Sequence, residues 1–415
     1  LEAEQHSELL KSSSSRQGVV ARGDCVEDGF RALRQTQIKS SDLERVSRQE
    51  QKGGRTMPSK THLVGSCGGS KSICGLAGLY WAVAQLLGWQ LAHWDTMGGS
   101  SGATIIQAIA RGSGLTPTQI IDLVLSTNFA EYVECPRLSG FQRLRAVLKH
   151  MRAEATMPWP YEALVKSERL GEFVDRLVPG PWPRGLWMLG ADQCGQPIVL
   201  FEKGIYRWRA TDRSLEELSP TPPPVGLAVR AACSIPTLFT PPRLQVRGEE
   251  LLVWDGAFTM SGSIYGLCPI EVPIHYWQAP PSTILAFDVS QEPFHRGFQG
   301  MVRRLLRYYW WGIADPPWPA TAQEVARIVP DMQFSALDLD LSLGQKWQTI
   351  AQAVSLTARA CCQHGLLEHE QRILADRLVE ALNPYIKTQL DGWRRGDFVG
   401  DLRKTFGIHG FALSA

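Results

Sequence analysis

Residues Ile73–Trp89, ICGLAGLYWAVAQLLGW, are apolar at nearly every position. Such a run approaches the ~20 residues that span a bilayer. It also carries Gln85 and three glycines and follows directly on a glycine-rich loop, so the pattern predicts a core helix buried on all sides rather than a membrane span. Before that loop, His62–Val64 predicts a short strand. After the helix, Gln90–Met97 predicts a strand running into a second glycine-rich turn, and Ala103–Ala110 predicts a helix. The apolar runs Leu186–Ala191, Pro197–Phe201, Leu251–Trp254 and Ile284–Val289 predict further strands. Strands alternating with helices imply an α/β fold with a largely parallel sheet. Beyond about Gln291 the pattern turns helical, over Met301–Trp311, Trp347–Leu367 and Glu370–Leu382, while Pro222–Pro224 and Pro316–Pro317 read as turns.

Residues 1–56 break this pattern. They are rich in Ser, Gln, Arg and Glu, include four consecutive serines at Ser12–Ser15, and hold one aromatic, Phe30. A stretch that can bury so little apolar surface is expected to be disordered, and no apolar core of a secretory signal stands out in it. Met57 is the first methionine. Two readings stand side by side: a native start at Met57, or a flexible tail ahead of it.

Composition narrows the function. The chain has 415 residues, with 44% hydrophobic and 20% charged positions, which reads as globular and soluble. A formal net charge of +2 gives no strongly basic face and excludes nucleic acid as the expected partner. Nine cysteines without a C-x-x-C pair point to reduced thiols in a cytoplasmic setting. The adjacent Cys361 and Cys362 do not suit a metal clamp, since neighbours on a helix point in different directions.

Three short segments carry candidate chemistry. Gly98-Gly99-Ser100-Ser101-Gly102 fits G-x-S-x-G with Ser100 in the central place. A nucleophilic serine on a tight strand-to-helix turn needs neighbours without bulk, and a helix N-terminus stabilises developing negative charge. The motif falls where QLAHWDTM ends and the helical pattern ATIIQAIA begins. The plain alternative is a glycine-rich turn capping a helix. Gly65-Ser66-Cys67-Gly68-Gly69-Ser70-Lys71 precedes the apolar helix; its glycines can turn backbone N–H groups toward an anion, and Lys71 adds positive charge. It meets neither the phosphate-loop pattern nor G-x-G-x-x-G. Finally, Asp255-Gly256-Ala257 ends the strand pattern LLVW, where a carboxylate can enter a cleft and Gly256 permits a sharp turn; an ordinary Asp-Gly turn is the alternative.

Taken in this order, the three segments resemble the patatin-like phospholipase family, whose pattern runs G-G-G-x-[KR]-G, G-x-S-x-G, D-G-[GA]. Two further stretches agree: GADQCGQ at Gly190–Gln196 followed by PIVLF, and RAACSIPTLF at Arg230–Phe239. The likeness covers about residues 62–290. It departs from the family at Cys67 and Ser72, which stand where the loop has glycines, and at Gly266-Leu267-Cys268-Pro269, which keeps the proline but lacks the family's asparagine.

The resemblance implies a patatin-like three-layer α/β/α fold with a mainly parallel central sheet and a helical C-terminal part. Residues 57–300 would form the catalytic core, and 301–415 a helical extension packed on it. It implies a serine acyl hydrolase acting on lipid or phospholipid esters, with a Ser100–Asp255 dyad and no metal or cofactor. The Gly68 and Gly69 N–H groups would form the oxyanion hole, beside Lys71, which holds the loop or stabilises charge; Gly98, Gly102 and Gly256 support the motifs. The alternatives are an acyltransferase or thioesterase using the same serine, and a non-catalytic lipid-binding scaffold. A histidine base is disfavoured: His93 is too close in chain to Ser100, and His275 and His295 lack a signature context. A lipid substrate brings peripheral membrane contact. Arg303–Trp311, RRLLRYYWW, and Phe141–His150, FQRLRAVLKH, suit an interfacial segment, with ordinary amphipathic helices as the plainer reading. Oligomeric state is not legible.

Overall fold

Leu63 and Val64, adjacent on the first strand, are both fully buried, as they must be in a sheet covered on both faces. The computed structural model describes residues 60–133, 165–209, 211–236, 239–259, 266–289, 322–330, 339 and 341–387. The leader, the stretches Arg303–Trp311 and Phe141–His150, and His295 lie outside the described residues.

The described strands are β1 (His62–Gly65), β2 (Thr96–Ser100), β3 (Leu186–Asp192), β4 (Pro197–Phe201), β5 (Gly204–Arg209), β6 (Ser214–Ser219), β7 (Arg243–Val246), β8 (Glu249–Asp255), β9 (Ile284–Phe287) and β10 (Ala326–Ile328). The helices are α1 (Ser70–Leu87), α2 (Gly102–Gly112), α3 (Pro117–Ser126), α4 (Glu168–Leu177), α5 (Val225–Ala232), α6 (Glu271–Tyr276), α7 (Leu343–Gln363) and α8 (His369–Lys387). The sheet is ordered β10-β9-β1-β2-β3-β4-β5-β6. From β10 to β3 every pairing is parallel, which gives the α/β core its parallel sheet. From β3 outward the strands continue as antiparallel hairpins, and β8, itself paired with β7, joins β3 antiparallel with Gly190 opposite Asp255.

Both faces of the sheet are covered. Val64, Trp187 and Leu189 point to one face, where Cys268, Ile270 and Val272 at the start of α6 close over them. Gly65 points to the other face, and a methyl on its Cα would lie 2.6 Å from Ala103 Cβ of α2 and 3.0 Å from Leu76 Cδ1 of α1. Helix α1 is buried almost throughout and ends at Gly88 in the left-handed conformation (φ 64°). Helix α7 presses on it closely enough that a methyl at Gly78 would stand 2.7 Å from Ile350 O. Protein, not lipid, covers the apolar stretch. Among the described residues no helix is long and apolar enough to cross a membrane.

The boundaries that differ from the sequence reading have local causes. The strand expected over Gln90–Met97 starts only at Thr96; Leu91–His93 form a 3-10 turn with no buried residue. The strand runs on through Gly98 and Gly99 instead, because nothing larger fits there: a methyl at Gly98 would stand 2.2 Å from the Trp187 ring and one at Gly99 2.0 Å from Gly65 O. Helix α7 begins one turn before Trp347, where Ser342 and Gln345 form a reciprocal cap. The buried Lys346 then reaches the C-terminus of α3, its Nζ donating to Thr127 O at 2.6 Å and Leu125 O at 3.2 Å. Those carbonyls have no partner within their own helix, and the positive charge suits that end of its dipole.

Candidate active site

Strand β2 passes into α2 through one residue, Ser101, with φ 54° and ψ −135°. A side chain held there stores of the order of 1–3 kcal/mol of backbone strain. Of the described non-glycine residues with positive φ, Arg213, Arg247 and Gln278 are exposed, whereas Ser101 is 8% exposed. Its backbone is held from several sides. The Ser101 N–H donates to Ala232 O at 3.1 Å, and the Ser101 carbonyl accepts from Thr104 N–H at 2.9 Å, Thr104 Oγ1 at 2.7 Å and Cys233 Sγ at 3.2 Å.

Asp255 closes β8 and is 1% exposed. Its N–H donates to Ser234 O at 2.9 Å, and its Oδ1 accepts the Ala257 N–H at 2.9 Å. The Ser101 side chain acts on the same carboxylate and helps to lower its pKa. Burial pushes its pKa up to about 7, partly countered by the Ala257 N–H and the Ser101 side chain. Ala232, Cys233 and Ser234, in the stretch RAACSIPTLF, thus tie the serine turn and the acid strand to one another.

Ser100 does not meet Asp255. It is fully buried, and its hydroxyl donates to Gly266 O at 2.8 Å. Ser100 Oγ is thus turned to Gly266 O, and it is the Ser101 side chain that acts on the Asp255 carboxylate. Ser100 still belongs to the strand, and Ser101 is the residue on the turn. The steric demands follow the turn. Two positions before Ser101, Gly99 presses on Gly65 O; directly after it, a methyl at Gly102 would lie 2.3 Å from Gly69 O. The pentapeptide obscures this because GGSSG also satisfies the pattern with Ser100 at its centre.

The glycine loop lies against this turn. A methyl at Gly102 would come within 2.6 Å of Gly69 Cα, so the two backbones touch. Gly69 has φ 50° and ψ −127°, almost the conformation of Ser101, and caps α1. Among the described residues neither the Gly68 nor the Gly69 N–H donates to a protein acceptor. The loop is folded on itself, with the Lys71 N–H on Gly68 O at 3.0 Å, the Ile73 N–H on Gly69 O at 3.2 Å and Ser72 Oγ on Ser66 O at 2.8 Å. The Lys71 side chain is buried. Neither α1 nor α2 has an acidic residue in its first turn, so no carboxylate of their own offsets the positive ends of the two helix dipoles. Behind the acid, a methyl at Gly256 would stand 2.4 Å from Leu189 O, so Gly256 has no room for a side chain.

The histidines of the described residues sit elsewhere. His93 accepts the Gln90 N–H on the exposed turn before β2, and the His275 ring rests on Trp208 with centroids 5.2 Å apart. Among the described residues no group of three or more His, Cys, Asp or Glu is arranged to hold a metal ion. Two parts of the site went unread in the sequence. One is the role of Cys233 and its neighbours; the other is the segment Gly266-Leu267, whose Leu267 carbonyl accepts the Cys67 N–H at 2.7 Å. Only the likeness of RAACSIPTLF to the family's stretch hinted at the first.

No family model matches the sequence, and no curated protein matches it. Solved structures do. The chain is similar to the type III effector protein ExoU at 14% identity, over 86% of this chain and 62% of that one, with a TM-score of 0.31. It is similar to human GIVD cytosolic phospholipase A2 at 13% identity, over 85% and 61%, with a TM-score of 0.32. VipD from Legionella pneumophila aligns at 12% identity over 85% and 80%, with a TM-score of 0.31. The chain spans less than two thirds of the length of the first two. At such TM-scores these likenesses set no residue-by-residue correspondence.

Proposed function

We propose that this chain is a serine acyl hydrolase that cleaves lipid esters, with Ser101 as nucleophile and Asp255 as its general base. One observation carries the reading: a non-glycine residue is held in a strained conformation at a strand-to-helix turn, and its side chain acts on a carboxylate removed from water. Strain of this kind at a buried serine is retained where a hydroxyl must project from a sharp turn.

The chemistry follows from the groups present. Asp255, with a pKa near 7, is basic enough to take the Ser101 proton and acidic enough to return it. Ser101 Oγ attacks the ester carbonyl carbon as its proton passes to Asp255. The carbonyl oxygen becomes an oxyanion beside the Gly68 and Gly69 N–H groups and the N-terminus of α2 at Gly102. The tetrahedral adduct collapses, the C–O bond to the leaving alcohol breaks, and Asp255 gives that oxygen the proton. Water then attacks the acyl-serine with Asp255 again as base, which frees the fatty acid and restores the hydroxyl. Lys71, whose N–H closes the loop on Gly68 O, keeps the glycine loop in shape. The lipid nature of the acyl donor, and with it contact with a membrane surface, rests on the patatin-like order of the motifs.

The test is a fluorophosphonate bearing an alkyl chain. Peptide mapping is expected to find the adduct on Ser101, and Ser101→Ala to lose both the adduct and the release of fatty acid from phospholipid vesicles. An adduct on Ser100, or undiminished hydrolysis by Ser101→Ala, would remove the assignment.

A further inference from the structure

The two serines that end β2 send their hydroxyls to different places. The Ser101 side chain acts on the Asp255 carboxylate. Ser100, fully buried, donates to Gly266 O at 2.8 Å and lies 3.5 Å from Leu267 O. That pair of carbonyls belongs to a segment in contact with both other parts of the site. On one side Leu267 O takes the Cys67 N–H at 2.7 Å and so anchors the glycine loop. On the other side Gly266 packs on the turn after the acid: a methyl on its Cα would stand 2.4 Å from Gly256 O and 2.2 Å from Thr259 Oγ1. The oxyanion loop and the acid turn therefore rest against one segment, and a single side-chain hydroxyl from the nucleophile strand fastens it. The bond to Gly266 O is buried, so little water is at hand to take it over if the hydroxyl is removed.

We propose that Ser100 is a positioning residue, whose hydroxyl holds Gly266-Leu267 and thereby sets the glycine-loop amides and the Asp255 carboxylate relative to Ser101 Oγ. The proposal rests on the reading of Ser101 as nucleophile. Ser100 itself touches neither the reacting oxygen nor substrate; it acts through distances. Misplacing catalytic groups by about 1 Å costs on the order of 100-fold in rate without weakening substrate binding to match.

The experiment compares wild type, Ser100→Ala and Ser100→Cys, the last keeping a weaker donor of similar shape. For each, kcat and KM are measured on a soluble p-nitrophenyl ester, the rate of fluorophosphonate labelling is followed with the site mapped, and the melting temperature is recorded. In Ser100→Ala the label is expected to remain on Ser101, with kcat and labelling rate down by about 10- to 100-fold and KM within about threefold. Ser100→Cys is expected to fall between Ala and wild type and decides the matter if Ala does not fold. Wild-type kcat and labelling in a folded Ser100→Ala would overturn the positioning role. So would a loss of kcat no larger than the loss of folded protein. A label on Ser100 in the wild type would instead sink the nucleophile reading beneath it, so the two failures are distinguishable.

Discussion

The chain makes the same backbone turn twice, at β1–α1 and at β2–α2, with different residues. Gly69 has φ 50° and ψ −127°; Ser101 has φ 54° and ψ −135°. Each stands directly before a helix and after a parallel strand, and the two turns touch through Gly69 and Gly102. Glycine enters this region at little steric cost, while serine stores strain there. The first turn has the residue that folding favours. The second departs from it, and the extra atoms are a hydroxyl that acts on a buried carboxylate. On the proposed function, the difference separates a turn that presents N–H groups from one that presents a nucleophile.

Making the second turn like the first breaks the comparison most sharply. Ser101→Gly is expected to lose at least about 10⁴-fold in ester hydrolysis, since the attacking atom is gone. It is also expected to gain about 1 kcal/mol of stability, as relief of strain outweighs the added freedom of the unfolded chain. Parallel hydrolysis assays and urea melts check both. A variant less stable than wild type would mean that the Ser101 side chain is there for packing.

Making the first turn like the second has the next largest effect. Gly69→Ala puts a Cβ on a residue that already touches Gly102 and forces it to hold φ near 50°. Oxyanion donors displaced in this way are expected to lower kcat by about 10²- to 10³-fold. The fluorophosphonate should still reach Ser101, more slowly, and stability should drop by about 1–3 kcal/mol. Unchanged kcat would place the oxyanion donors away from this loop.

The difference between the turns also explains what could be read in advance. The parallel core was legible because its strands are short apolar runs punctuated by glycine: β1, β4 and β9 lie within a few residues of their expected places. Strands β5 and β6 were not, because GIYRWR and SLEELS mix charge with apolar residues on an edge where one face is solvated. In the candidate site, Asp255, Gly68 and Gly69 were expected from residue type and order alone, and the structure puts Asp255 at the end of β8 and Gly69 against Gly102. Two adjacent serines satisfy one pattern, and what separates Ser100 from Ser101 is backbone conformation. That depends on where β2 stops, which is fixed by contacts from Gly65, Gly69 and Trp187, distant in sequence.

The last contrast concerns charge. On the proposed function the glycine loop offers N–H groups at any pH, whereas the Ser101 turn works only when Asp255 can accept a proton. With its pKa near 7, kcat/KM is expected to rise about tenfold per pH unit up to about pH 7 and then level off. Stability should move the opposite way. The unfolded carboxyl titrates near 3.8 and the folded one near 7. Between these values the folded protein keeps a proton that the unfolded chain has lost. This group's contribution is therefore fully present below about pH 4 and is lost as pH rises to about 7. Asp255→Asn removes the titration. At pH 8 it is expected to be inactive yet more stable than wild type, by up to the order of 4 kcal/mol, and the advantage should vanish near pH 4. Urea melts of the two proteins across that range check the sign. If the wild type gains stability relative to Asp255→Asn as pH rises, the folded carboxyl is more acidic than an ordinary aspartate. It would then be a poor base for Ser101, and the two turns would not differ in the way their backbones imply.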